Sequence, residues 1–224
     1  MCVRVGGHMC FSPDADLAAG VIVSAVGIDA IRRARTPNEL PLAALPLLFG
    51  VHQLVEAFVW WGLRGKVPAN LGETATWLYL AIAFLLPMWV PLAVRGVEPS
   101  RDRRTIITVL ATVGLVVSLV GSDAVVRGPV DAVVEGHHIA YAIHIASGAA
   151  IGTLYVVATC GALLVSSDRR IRYFGLSNLG AVVVLVWLTV GGLTSLWCVW
   201  AAVTSVSIDL YLRDEQRLGD VVVA

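Results

Sequence analysis

The sequence predicts an all-α fold: a polytopic transmembrane bundle of seven helices with its N-terminus outside and its C-terminus in the cytoplasm. Of the 224 residues, 58% are hydrophobic and only 14% are charged, and the mean hydropathy is +0.81. A soluble domain of this length cannot bury so much apolar surface, because soluble proteins use about a quarter charged residues. The chain is therefore predicted to be membrane-embedded.

The number of spans follows from the apolar runs, since a helix needs roughly 20 apolar residues to cross about 30 Å of hydrocarbon. Residues 173–212 form one long apolar run that is broken only at Gly191-Gly192. We interpret this pair as a turn between two spans, and the alternative is one long kinked helix with six spans in all. The seven predicted spans are 14–32, 40–63, 71–94, 105–121, 137–165, 172–190 and 193–212.

The basic residues predict the orientation. The sixteen lysines and arginines are concentrated in alternate connections between spans. With the N-terminus outside, twelve lie on the cytoplasmic side and four lie outside, which is the bias typical of membrane helices. The cytoplasmic group is Arg32, Arg33, Arg35, Arg95, Arg101, Arg103, Arg104, Arg169, Arg170, Arg172, Arg213 and Arg217. The outer group is Arg4, Arg64, Lys66 and Arg127.

The predicted organisation is one membrane domain between two short tails. Residues 1–13 form the N-terminal tail, residues 14–213 form the domain, and residues 214–224 form a cytoplasmic tail. Ser12 and Pro13 are typical of a helix start, and the acidic side chain of Asp16 lies in the first turn. Translation could begin at Met1 or at Met9, and the sequence leaves this choice open.

Two ionisable residues lie inside the apolar segment 51–63, VHQLVEAFVWWGL. His52 and Glu56 share one helical face, because residues four apart are neighbours on a helix. At 1.5 Å per residue, Glu56 lies about 10 Å and His52 about 16 Å below the outer end of this span. If the fifth span enters near His137, His144 lies about 10 Å deep as well. Polar side chains at such depth are functional candidates.

These residues suggest a metal site with His52, Glu56 and His144 as ligands. Zinc accepts two histidines and a carboxylate and keeps a fourth position for water, so a zinc-dependent hydrolase at the outer leaflet is one hypothesis. In it Glu56 and Tyr141 are the candidate catalytic residues. Asp16, His137 and His138 are secondary candidates at the outer rim of the site.

Two other hypotheses stand beside the metal site. A chain of His52, Glu56 and His144, extended by Tyr141, could relay protons or move a small solute, although polar residues are then expected to continue inward. In the structural or sensory hypothesis, Glu56 hydrogen-bonds within the bundle and the protein has no chemistry of its own. The expected partners are membrane lipids and a small-molecule or lipid ligand, and the zero net charge argues against nucleic acid.

The cysteines allow one cross-link. Cys10 and Cys198 are both predicted on the outer side, where disulfides are permitted. A bridge between them would hold the N-terminal segment over the bundle, and two unpaired thiols are the alternative. Cys160 is predicted deep in the fifth span as a small apolar residue.

The segment Met-Cys-Phe-Ser-Pro at residues 9–13, followed by PLAALPLLFGVHQLVEAFVWWGL at residues 41–63, resembles an uncharacterised family of bacterial, often actinobacterial, membrane proteins. The His137-His138 pair and the segment from Leu196 to Cys198 are similar to that family too. The resemblance implies a multi-pass protein of the bacterial inner membrane, and it implies no activity.

Overall fold

The computed structural model describes residues 12–135, 138–188, 200, 208–210, 212 and 213. Two short strands, β1 (Val130–Glu135) and β2 (His138–Ile143), lie between the fifth and sixth of the helices below. The helices of these described residues are α1 (Pro13–Arg33), α2 (Leu40–Ala43), α3 (Leu45–Leu63), α4 (Ala69–Val97), α5 (Arg101–Arg127), α6 (Gly148–Val165) and α7 (Arg169–Leu188).

Four helical segments of the described chain are long and apolar enough to cross a membrane. They are Leu40–Leu63, Ala69–Val97, Arg101–Arg127 and Gly148–Val165. These segments confirm the mostly helical, membrane-type fold class. The helices α1 and α7 overlap the predicted spans 14–32 and 172–190 but are not among these four segments. Residues 189–190, Gly191-Gly192 and most of the span 193–212 lie outside the described residues.

The start and the end of α1 follow local rules. The Ser12 side chain accepts a hydrogen bond from the backbone N–H of Ala15 at 3.3 Å, and Pro13 opens the helix. At the other end, Asp29 pairs with Arg33 at 2.8 Å and with Arg213 at 3.0 Å. Arg213 also pairs with Asp209 at 2.6 Å, so this network ties the end of α1 to residues far along the chain.

Close packing of α1 against α3 sets the relative height of the two helices. Gly20 lies against Leu54, and Gly27 lies against the backbone of Leu47. Between these contacts, Gly50 lies against the backbone of Ser24. The two helices are therefore antiparallel, and an advance of three or four residues along α1 corresponds to an equal number of residues backward along α3. Small residues allow such close approach of two helix backbones within a membrane.

The helix α4 packs against α2, α3, α5 and α6. The indole of Trp89 donates a hydrogen bond to the Pro41 carbonyl at 3.0 Å, which fixes α2 to α4. The Tyr155 hydroxyl donates to the Ala83 carbonyl at 3.1 Å, which fixes α6. Because Pro87 follows Ala83 by four residues, this carbonyl lacks its usual partner within the helix, and the Tyr155 hydroxyl takes that place.

The fifth predicted span, 137–165, is wrong over its first third. Residues 138–143 form β2, which pairs antiparallel with β1, and the helix α6 begins only at Gly148. In this hairpin Val130 faces Ile143 and Ala132 faces Tyr141. These residues share the face that packs against the bundle, with Ile139 fully buried. The sequence favours a strand here because the large apolar side chains alternate, at Ile139, Tyr141 and Ile143. Side chains in a strand point to the two faces in turn.

A buried carboxylate joins two connections at the end of the bundle opposite the hairpin. Glu98, 2% exposed, accepts hydrogen bonds from the Ser167 backbone N–H at 2.7 Å and from the Ser167 hydroxyl. It also accepts from the Ser166 hydroxyl at 3.3 Å and from the Ser100 backbone N–H at 3.1 Å. Burial alone would raise the pKa of Glu98, but these hydrogen bonds outweigh burial and lower that pKa below its ordinary 4.5.

The contact between α1 and α3 predicts the effect of a methyl group at Gly27. A Cβ there would lie 2.2 Å from the Leu47 backbone nitrogen, so Gly27→Ala should lower the free energy of unfolding by about 1–3 kcal/mol. Gly152→Ala is the matched control, because no atom of the described residues lies within 4 Å of its Cβ position. It should leave stability equal or raise it by about 0.5–1 kcal/mol. Thermal unfolding in detergent measures both, and equal effects would contradict this packing.

The Glu98 contacts predict an acid-sensitive contribution to stability. Since the folded pKa is lowered, the contribution is fully present above the ordinary value and is lost as pH falls through the folded value. Glu98→Gln should therefore destabilise the protein by about 1.5–3 kcal/mol at neutral pH. The difference from the wild type should shrink in unfolding experiments below about pH 4. A difference that is independent of pH would contradict the role of the charge.

Candidate functional site

One face of α3 carries three polar side chains that are almost completely buried. His52 is 1% exposed, and Gln53 and Glu56 are 0% exposed. Spacings of three and four residues place them on one side of the helix, and Trp60, 1% exposed, continues that side by one turn. A polar group that leaves water without compensation costs about 1–3 kcal/mol or more. The apolar segment thus retains these residues at a considerable energetic cost.

Asp16 of α1 completes this group, which we call the outer polar site after the side that the arginine distribution predicts for it: Asp16, His52, Gln53 and Glu56. It is buried, and its carboxyl faces the side chain of Trp60. The register set by Gly20 against Leu54, continued by one turn, places Asp16 at a height between Glu56 and Trp60. Asp16 and Glu56 therefore lie on adjacent helices at heights that differ by two residues, or about 3 Å.

His52 is held by its neighbour on α4. Its Nε2 lies 2.9 Å from the backbone carbonyl oxygen of Tyr79. Because a carbonyl oxygen only accepts hydrogen bonds, Nε2 must carry the hydrogen here. The imidazole also stacks on the Tyr79 ring, with centroids 3.9 Å apart and planes 11° apart. This geometry orients the imidazole and leaves its Nε2 unable to ligate a metal.

The hairpin covers the site through a second ring contact. Tyr141 of β2 stacks on Tyr79, with centroids 4.5 Å apart and planes 13° apart. Three stacked rings therefore run from His52 on α3, through α4, to the hairpin. Tyr79 is fully buried, and Ile139 beside Tyr141 in β2 is fully buried as well. The strands thus act as a cover over this end of the bundle.

Gln53 shows a deficit of hydrogen bonds. Within the described part of the chain, neither its amide oxygen nor its amide nitrogen has a hydrogen-bond partner. A buried amide that lacks partners destabilises a protein. Such a group is therefore a candidate for interaction with something that enters the site.

A cleft of about 320 Å³ opens beside the covered site, between α3, α4 and β1. Its wall includes Thr76, one turn before Tyr79 on α4, and the acidic residues Glu73 and Asp131. Glu73 and Asp131 are both exposed. The cleft therefore places a partly polar surface, with two acidic side chains, beside the hairpin.

The described residues do not bring the three predicted metal ligands together. Among the described residues, no group of three His, Cys, Asp or Glu side chains could hold a metal ion. His144 is exposed and lies in the connection after β2, so its predicted depth of about 10 Å on a helix was wrong. The error came from reading the β2 strand as the start of a membrane helix. His52 and Glu56 are buried as predicted, whereas the third ligand is elsewhere.

The remaining predicted site residues have different surroundings. His138 begins β2 and lies 3.9 Å from the exposed carboxylate of Glu135, which suits a residue at the rim. Tyr141, a candidate catalytic residue, lies in β2 and stacks on Tyr79. His137 and the proposed Cys10–Cys198 bridge lie outside the described residues. Cys160 is a buried free thiol in α6, as predicted.

Sequence reasoning missed three members of the site's surroundings: Gln53, Trp60 and Tyr79. Gln53 could have been found, because it is a third polar residue adjacent to His52 in an apolar segment. Trp60 follows Glu56 by one turn and is buried, with the Arg64 guanidinium 4.7 Å from its ring centroid. No local signal indicates that Tyr79 would stack on His52, since that contact depends on how two helices pack.

Comparison with known proteins identifies the family without indicating an activity. A family of unknown function, DUF6629, matches residues 9–221, and the chain belongs to that family. This finding agrees with the resemblance to an uncharacterised family. No curated protein and no solved structure matches the chain significantly.

Proposed function

We propose that this member of DUF6629 is a multi-pass inner-membrane protein that senses protons through the outer polar site and has no enzymatic activity. In this proposal the chain crosses the membrane seven times, and the hairpin lies on the outer side. The site takes up a proton from outside, and the hairpin changes its position in response. The signal passes to a partner through the hairpin surface.

The observation that carries the proposal is the burial of Asp16 and Glu56 on two adjacent helices, at heights that differ by two residues, or about 3 Å. Two carboxylates that share a site of low dielectric constant repel each other, and each pays a large desolvation cost. One bound proton removes a charge and allows one carboxyl group to donate a hydrogen bond to the other. Acidic residues within membrane helices commonly bind protons for this reason.

The stacked rings supply the link from the site to the outside. Glu56 and His52 lie one turn apart on α3, and His52 contacts Tyr79, which contacts Tyr141 of the hairpin. Proton loss would increase repulsion between α1 and α3, and a small shift of α3 would move the His52 ring against Tyr79. The position of the hairpin would therefore depend on the protonation state of Asp16 and Glu56. Its outer face, which includes exposed Val133, is available to a partner.

The geometry favours this function over the two other hypotheses. Metal-dependent hydrolysis needs a ligand set that the described residues do not form. Proton transport needs polar residues that continue toward the opposite end of the bundle, and Ser177 and Asn178 of α7 are polar residues in that half. Both donate hydrogen bonds to the Phe174 carbonyl of their own helix, at 2.9 Å and 2.8 Å.

Infrared difference spectroscopy on the purified full-length protein tests proton binding directly. An acid-minus-alkaline spectrum should contain a narrow carbonyl band from a protonated, buried carboxyl group. Glu56→Gln should remove or shift this band, and Asp16→Asn should do the same from α1. Glu73→Gln is the matched control, because Glu73 is exposed at the cleft, and it should leave the narrow band unchanged.

Three results would contradict the proposal. A narrow band that is identical in the wild type, Asp16→Asn and Glu56→Gln would show that these carboxyls do not exchange protons. A stoichiometric divalent metal that disappears in Glu56→Gln would favour the metal hypothesis. Proton flux into liposomes that contain the protein, abolished by Glu56→Gln, would favour transport.

A further inference from the structure

Two arginines lie side by side where α4 ends and α5 begins, at the end of the bundle opposite the hairpin. The Nε of Arg104 lies 3.4 Å from the Arg95 carbonyl oxygen. The Nε of Arg95 donates to the Thr108 hydroxyl at 2.9 Å, and this hydroxyl donates to the Arg104 carbonyl at 2.7 Å. The three residues therefore form one compact group that spans both helices.

This arginine pair differs from several other arginines in its lack of an acidic partner among the described residues. Within the described part of the chain, no carboxylate lies within salt-bridge distance of either guanidinium. By contrast, Arg33, Arg127 and Arg213 are each paired with an aspartate. Two adjacent cations repel each other unless an anion lies between them. Guanidinium groups are suited to phosphate, which they bind through two parallel hydrogen bonds.

An apolar groove leads away from the pair along the same two helices. It has a volume of about 380 Å³ and lies between Leu85 and Met88 of α4 and Leu115 and Leu119 of α5. Leu92, between the groove and Arg95, is 44% exposed. Ten residues separate Arg95 from Leu85, which is about 15 Å along a helix. That distance equals about half the hydrocarbon thickness of a bilayer.

We infer that the pair and the groove together bind one anionic phospholipid. Its phosphate lies between the guanidinium groups of Arg95 and Arg104, and one acyl chain lies in the groove between α4 and α5. Charge complementarity selects an anionic headgroup, and the apolar walls select a lipid over a soluble phosphate. This site is separate from the outer polar site and does not depend on the proposed function.

The experiment uses native mass spectrometry of the full-length protein with added phosphatidylglycerol or phosphatidylcholine. The wild type should retain phosphatidylglycerol preferentially. Arg95→Gln and Arg104→Gln should each weaken its binding roughly fivefold, and the double variant should weaken it on the order of twentyfold. Arg32→Gln removes the same charge from an exposed position on α1 and should leave binding unchanged.

Several outcomes would overturn the inference. One is a wild type with no preference for phosphatidylglycerol over phosphatidylcholine. Another is an equal loss of binding in Arg32→Gln and in the single variants of the pair, which would show general attraction to the basic surface. Displacement of the lipid by sodium phosphate would assign the arginines to free phosphate instead.

Discussion

The close contact between α1 and α3 is the constraint on which the outer polar site depends. Gly27 and Gly50 each admit the backbone of the opposite helix to a distance that a side chain would prevent. Because the hydrophobic effect does not drive helices together within lipid, such close packing is a main source of helix–helix association. It fixes the height of Asp16 relative to α3 and so places this aspartate beside the part of α3 between Glu56 and Trp60.

The second determinant is the aromatic contact between α3, α4 and the hairpin. A two-stranded hairpin has little stability alone, so β1 and β2 depend on the bundle for their position. Ile139 is buried against it, and Tyr141 stacks on Tyr79. The hairpin also covers the Tyr79 ring, which in turn covers the imidazole of His52. The opposite end is closed differently, by hydrogen bonds from two serines to Glu98 and by ion pairs between Asp29, Asp209 and arginines.

Much of the helical fold could be predicted from the sequence, because apolar length and helix caps are local signals. Ser12 caps α1 as expected, and Asp29 pairs with Arg33. The burial of His52 and Glu56 on one face also followed from their spacing. Family membership agrees with the resemblance seen in residues 9–13 and 41–63.

The hairpin and the true position of His144 could not be predicted from local sequence signals. Residues 138–143 are apolar and run directly toward α6, so a hydropathy pattern merges strand and helix into one span. Only pairing with residues 130–135 distinguishes them, and such pairing is not visible within a single segment. Because residues 138–143 were assigned to a helix, His144 was predicted on that helix as a metal ligand. The described residues do not form that ligand set. The stacking of Tyr79 on His52 was hidden for a similar reason, since it depends on tertiary packing.

A double-mutant cycle between Asp16 and Glu56 tests the central claim most directly. The free energy of unfolding would be measured for Asp16→Asn, Glu56→Gln and the double variant at neutral pH. The account predicts an interaction energy of about 0.5–3 kcal/mol, because contacting groups are not additive. Asp14→Asn, exposed in the same turn of α1, should be additive with Glu56→Gln. If Asp16 and Glu56 were also additive within about 0.5 kcal/mol, the two carboxyls would not share a site and the account would be contradicted.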